Sequence, residues 1–129
     1  MAEWTSDQLT SIGEAEEVRI ASLRSDGTLR TPVIVWVVRH GDDIYIRSVN
    51  GREAAWFRGT QARHAGRIWA GGAEHDVTFE EETDPRINDE IDGAYRAKYR
   101  RYPGIVPHIV NPQARAATLK LLPRSAVSS

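Results

Sequence analysis

The chain has 129 residues, a length that fits one domain spanning residues 1–129 and suffices to bury a core without staples. It has no cysteine, which excludes disulfides, thiolate metal sites and thiolate nucleophiles. Its formal net charge of -1 gives no general attraction to nucleic acid or to an anionic membrane. No apolar run approaches the roughly 20 residues needed to span a bilayer, and the polar stretch Met1 to Gly13 lacks the apolar core of an export signal. A cytoplasmic protein that works without nucleic acid or membrane is therefore expected. Of its 17 basic residues, all but Lys98 and Lys120 are arginine. Such a skew follows from a GC-rich genome, and it also supplies planar forks suited to phosphates and carboxylates.

In chain order, Ser6 precedes a short helical stretch, Asp7 to Ile12, which Gly13 is placed to stop. Val18 to Leu23 alternates apolar and polar residues, the period of a half-buried strand. Ser25-Asp26-Gly27-Thr28 then gives a tight-turn signal. Thr31 to Val38 is almost wholly apolar and β-branched, which predicts a central strand covered on both faces, with Pro32 near its start. A second turn at His40 to Asp43 leads into Ile44 to Ser48, so three successive strands should form an antiparallel meander.

A polar corner follows, then a helix from about Arg52 to Arg63, for which Asn50 and Glu53 have capping-pair spacing. Gly66 to Ala70 and Asp76 to Glu80 read as strands around Gly71-Gly72. Asp84-Pro85 opens a helix that should reach Arg100 or Arg101, acidic in its first half and basic in its second. Pro103 and Pro107 suggest a loop, and Ala117 to Leu122 a closing strand. The sum is a mainly β, α+β domain: a small antiparallel barrel with two or three covering helices.

The corner from Ser48 to Arg52 is the leading candidate for a ligand site. A helix N-terminus leaves N–H groups without partners, Ser48, Asn50 and Arg52 add donors, and Gly51 permits close approach. Pairing around the turn at Gly41 would bring Arg30 to the same end of the sheet. An ordinary capped helix with a surface arginine reads the same way. Trp56 and Phe57 fit a core, and Trp56 also fits the wall of a flat cofactor. Tyr95 and Tyr99 lie one helical turn apart with Lys98 beside them, as core packing or as a hydroxyl-bearing wall. His108, in a proline-flanked loop, is an acid/base candidate. The four histidines lack ligand spacing, so no metal site is expected. No GxSxG, P-loop or dinucleotide fingerprint occurs.

Several motifs recur in a familiar order: Arg30-Thr31-Pro32-Val33, Gly41-Asp42-Asp43-Ile44-Tyr45, Ser48-Val49-Asn50-Gly51, Ala55-Trp56-Phe57-Arg58, Arg67-Ile68-Trp69 and Tyr95-Arg96-Ala97-Lys98-Tyr99. In them the chain resembles the DUF2255 family over nearly its whole length. More distantly it is similar to the deazaflavin-dependent nitroreductases among the flavin-binding split β-barrels. It departs from the latter at Gly59, where an asparagine often stands. The resemblance implies a split barrel, a homodimer, and FMN or F420 bound between subunits. It implies cofactor contacts at Arg30, Thr31 and Pro32, at Ser48, Asn50, Gly51 and Arg52, and at Trp56. Tyr95, Tyr99 and His108 would then face a small organic substrate. A non-catalytic small-ligand-binding dimer, or a cofactor-independent enzyme using the barrel pocket for acid/base chemistry, are the alternatives.

Overall fold

The computed structural model describes residues 3–124. The first helix, α1 (Ser6–Glu14), is capped one residue earlier than expected: the Thr5 hydroxyl accepts from the Gln8 N–H while the Gln8 side chain accepts from the Thr5 N–H. That reciprocal pair closes two otherwise unpartnered donors. Leu9 and Ile12 face inward from α1, and the Trp4 indole just before it donates to the Leu121 carbonyl at 2.9 Å.

Seven strands follow: β1 (Val18–Ser22), β2 (Val33–Val35), β3 (Val37–His40), β4 (Asp43–Arg47), β5 (Ala65–Ala70), β6 (Ala73–Glu81) and β7 (Thr118–Pro123). Every pairing is antiparallel, in the order β2-β1-β5-β6-β7-β4-β3. The end strands, β2 and β3, are consecutive in the chain, so the sheet wraps into a nearly closed barrel, as the split-barrel reading requires. Its interior is apolar, with Ile20, Ile46, Phe57, Ile68, Val77 and Leu119 among the buried residues.

Two expectations fail at the same place. Thr31 to Val38 is not one central strand; it breaks at Trp36 into β2 and β3, at opposite ends of the sheet, and Ile34 is 56% exposed. The meander therefore does not form, because β2 pairs with β1 while β3 pairs with β4. The cause lies in α3 (Pro85–Lys98), which packs across β3. The Tyr95 hydroxyl donates to the Trp36 carbonyl at 3.0 Å, and the Tyr99 hydroxyl accepts from the Val37 N–H at 3.2 Å. Lys98 Nζ donates to the carbonyls of Val37 and Ala15, both at 2.6 Å. The Trp36 ring stacks on Tyr99 with centroids 3.9 Å apart. Side chains thus take backbone groups that a continuous strand would pair within the sheet.

The helix expected from Arg52 begins instead with a 3-10 turn, Gly51–Glu53, and α2 proper runs over Ala55–Arg63. Neither start has a side-chain cap, so the Asn50–Glu53 capping pair is absent. Its end is a left-handed His64 at φ 46°, whose N–H donates to the Thr60 carbonyl. Asp84 caps α3 as expected, its carboxylate accepting from the Arg86 N–H, and the helix ends at Lys98, short of the expected Arg100 or Arg101. The proline-rich segment is not plain loop: it holds two short helices, α4 (Val106–Val110) and α5 (Pro112–Arg115). Proline at a first helical turn loses no intrahelical hydrogen bond, which is why Pro107 and Pro112 start helices here. No helix among the described residues is long and apolar enough to cross a membrane.

Candidate functional site

A cavity of about 310 Å³ opens where β1, the start of β2 and α2 meet. Ser22 and Arg24 line it from the β1 end, Arg30 and Thr31 from the approach to β2, and Ala55 and Trp56 from the first turn of α2. The turn at Asp26-Gly27 folds this segment back, with the Asp26 carboxylate accepting from the Thr28 N–H and hydroxyl. Those hydrogen bonds hold the Asp26 carboxyl below the usual range. Beyond the turn, the Arg30 N–H donates to the Ser22 carbonyl at 2.9 Å, which fixes the arginine above β1.

The lining contains two guanidinium groups and no carboxylate. Arg24 is partly engaged, donating to the Thr28 hydroxyl and, at 2.7 Å, to the Leu29 carbonyl. The Arg30 guanidinium has no acid or acceptor partner among the described residues. Beneath it the Ser22 hydroxyl is buried and has no hydrogen-bond partner among the described residues. Trp56 supplies an apolar wall and packs edge-on against Phe57. A cationic cavity with a free guanidinium, a hydroxyl without a partner and an indole wall has the donor set of a site for an anion with a flat apolar portion.

Of the residues singled out in the sequence, Arg30, Thr31 and Trp56 come together in this cavity. Pro32 instead lines a wider groove of about 650 Å³ on the other side of β2, with Ile34 and Trp69. Ser48 is buried just past the end of β4, and its hydroxyl also lacks a partner among the described residues. Asn50 and Gly51 pack against α5: the Gln113 amide donates to the Asn50 carbonyl at 2.9 Å. Gly51 sits at φ +75°, a conformation that favours glycine. Arg52 is drawn away to β6, where it bonds Glu81 at 2.5 Å and the Ala116 carbonyl at 3.0 Å. The Glu81 carboxylate raises the pKa of that guanidinium.

Tyr95 and Tyr99 are sealed between α3 and β3, each at most 1% exposed, and burial pushes both phenols well above their ordinary range. Their hydroxyls serve the Trp36–Val37 break. His108 lies exposed on α4. Two polar residues of the cavity, Ser22 and Arg24, carry no sign of it in the sequence. Ser22 lies within the plain alternating run Val18 to Leu23, and nothing in its spacing signals that its hydroxyl goes without a partner.

Arg47, immediately before the corner, is the last residue of β4. Its side chain is fully buried and donates to Asp92, to the Asn88 side chain at 2.9 Å, to the Ile109 carbonyl at 3.1 Å and to the Thr118 hydroxyl at 2.9 Å. Arg115 braces Asp92 from the other side at 2.5 Å. This clamp joins β4, α3 and β7 below the corner. Its donors and acceptors are matched within the protein, so it reads as structure rather than as a ligand site.

The comparisons with known proteins follow the same fold. Residues 8–121 match the family described as "Uncharacterized protein conserved in bacteria (DUF2255)". Among solved structures the chain is similar to an F420 reductase at 17% identity, covering 89% of this chain and 90% of that one with a TM-score of 0.56. A putative pyridoxamine 5'-phosphate oxidase from Listeria innocua matches at 11% identity, 90% and 88% coverage and a TM-score of 0.59. A FAD-binding protein from Mesorhizobium loti matches at 16% identity, 95% and 91% coverage and a TM-score of 0.57. At these identities the likeness is one of fold. No curated protein matches the sequence.

Proposed function

We propose that this chain, which belongs to the DUF2255 family, binds a flavin-type cofactor, FMN or F420, and acts as a reductase on a small organic substrate. The observation that carries the reading is the cavity at β1, β2 and α2, where Arg30, Thr31 and Trp56 converge on a space lined by no acid. Three solved structures that share the fold are described as an F420 reductase, a putative pyridoxamine 5'-phosphate oxidase and a FAD-binding protein, which supports a flavin-type ligand here.

Arg30 and Thr31 would hold the phosphate, with Trp56 against the ring and Ser48, Asn50, Gly51 and Arg52 forming the neighbouring corner. The bound cofactor supplies the hydride chemistry, and the protein contributes binding, orientation and exclusion of water. A cavity near the low end of ligand-site volumes holds a phosphate and part of its chain. A second copy of the chain would complete the enclosure of the ring, so we place the working unit as a homodimer. The absence of an acid or base from the lining favours a cofactor holder over a cofactor-independent acid/base enzyme.

The test is direct. The protein is purified from a host that makes both FMN and F420, and its visible spectrum and fluorescence are recorded. It is then titrated with each cofactor to high micromolar concentration. Uptake of one of them, followed by reduction of a nitro or enone test substrate, is the expected result. Preparations that stay colourless and take up neither cofactor would refute the proposal, and uptake without turnover would reduce the protein to a ligand store.

A further inference from the structure

Arg30 lies against α2 at Gly59, where an added β-carbon would stand 3.0 Å from Nε and 3.1 Å from Cδ. The same β-carbon would come within 2.5 Å of the Ser22 hydroxyl. Serine, arginine and the bare face of the helix therefore meet at one point, and any residue but glycine at position 59 would push into it. Ser22 is only 4% exposed, and its backbone is already used: its carbonyl accepts from Arg30 and it pairs with Gly66 on β5. Its hydroxyl is thus a buried donor held beside a free guanidinium with no partner of its own. Buried hydroxyls are nearly always satisfied, so one left open beside a cationic cavity points to an acceptor brought by a ligand.

We propose that Ser22 and Arg30 together form a receptor for a terminal phosphate monoester, with Gly59 leaving the helix face bare where they meet. This rests on the reading of the cavity as the phosphate site. A guanidinium fork takes two oxygens in its plane. A carboxylate has only those two, and a phosphodiester has two that are not esterified. A phosphate monoester has a third terminal oxygen, out of the plane of the fork, to accept from Ser22. Binding draws the Arg30 side chain off the helix far enough to admit that oxygen. The cofactor selected is one that ends in a phosphate monoester, as FMN does, over one whose phosphate is esterified twice.

The probes are inorganic phosphate, methyl phosphate, dimethyl phosphate and acetate, titrated at pH 7.5 into the whole protein. The readout is the shift of the Arg30 Nε–Hε and Ser22 amide resonances. Phosphate and methyl phosphate are expected to move both signals and to bind at least fivefold more tightly than dimethyl phosphate or acetate. Ser22→Ala should weaken phosphate about tenfold, the usual loss for a hydrogen bond to a charged group, and shrink the preference over dimethyl phosphate. What preference survives in Ser22→Ala is charge alone. Gly59→Ala should weaken phosphate at least as much with little loss of melting temperature, because the atoms its β-carbon meets are a hydroxyl and a flexible stem. Unchanged phosphate affinity in Ser22→Ala, or equal binding of dimethyl phosphate to the native protein, would overturn the receptor. FMN bound equally by native protein and Ser22→Ala would also overturn it, while leaving the flavin reading intact. Serine-dependent phosphate binding without uptake of FMN or F420 would uphold the receptor and sink the flavin reading.

Discussion

Removing Asp92 should damage this protein more than removing the arginine it pairs with. Arg47 is buried with its side chain fully covered, and Asp92 carries its charge partner. In Asp92→Ala the guanidinium stays below the surface, with the Asn88 and Ile109 carbonyls and two neutral side-chain oxygens as its only acceptors. Arg115, 2.5 Å from Asp92 in the native protein, becomes a second cation facing it, with the exposed Asp89 at 3.0 Å as its remaining partner. Breaking a buried pair from one side costs about 3–5 kcal/mol, a large part of the roughly 5–15 kcal/mol that holds a typical domain. In Arg47→Met the apolar stem is kept, the buried charge is gone, and Asp92 still has Arg115. That loss should be about 1–3 kcal/mol, the cost of leaving Asn88 and Thr118 short of a donor. The assay is urea unfolding of both variants at pH 7.5, with a melting scan as a second probe. Asp92→Ala should fall by at least about 1 kcal/mol more than Arg47→Met. Equal losses, or a larger loss for Arg47→Met, would mean the clamp is not held by charge pairing.

Three further outcomes follow from the site and its surroundings. Arg30→Ala should weaken FMN or F420 about tenfold or more, whereas Arg52→Ala should change affinity less than threefold, because Arg52 is committed to Glu81 and the Ala116 carbonyl; calorimetric titration ranks the two. Stability should rise with pH between about 8 and 10.5, since burial lowers the Lys98 pKa from 10.5 to about 8 and the folded state then sheds its proton before the unfolded chain does. Above the ordinary phenol value of 10.0 the trend should reverse, because Tyr45, Tyr95 and Tyr99 keep their protons when folded and lose them when unfolded. Urea midpoints at pH 7.5, 9.5 and 11 test both limbs, and Lys98→Met should remove the rising one. Gly51→Ala should cost about 1 kcal/mol, from the φ of +75° and a β-carbon 2.5 Å from Gln113 Cγ, and should show as a lower melting temperature.

The strand set, the turn at Asp26-Gly27 and the Asp84 cap were legible because each rests on local chemistry. Alternation, turn residues and caps are written in neighbouring positions. The break at Trp36 was not legible. Thr31 to Val38 has the composition of a covered strand, and what divides it is a set of hydroxyl and ammonium groups from residues about sixty positions later. The Arg47 clamp escaped for the same reason: a single arginine at a strand end looks solvated until Asn88, Asp92 and Thr118 arrive to meet it. At the corner, composition suggests three side-chain donors, Ser48, Asn50 and Arg52, aimed at one ligand with Arg30 beside them. The fold turns Arg52 toward β6 and sets Asn50 and Gly51 against α5, while Arg30 goes to the cavity beside Trp56.

The break and the cavity belong to one piece of construction. In the nearly closed barrel the two end strands are halves of one stretch, β2 on β1 and β3 on β4, and the break at Trp36 sets where one pairing stops and the other begins. Fastening Trp36 and Val37 to α3 lets β3 turn to β4, and leaves β2 only three residues long on β1. With β2 so short, Arg30 to Pro32 lie outside the strands, tied to β1 through the Arg30 N–H and the Ser22 carbonyl, and Arg30 and Thr31 line the cavity with the start of α2. There Gly59 lets the helix come close enough for the Arg30 stem to rest on it and for Ser22 to be buried without a partner. The tyrosines of α3 thus reach the candidate site only through the backbone they hold. Removing the Tyr99 hydroxyl should disturb β2 and β3 first, and ligand affinity only as far as Arg30 is displaced with them.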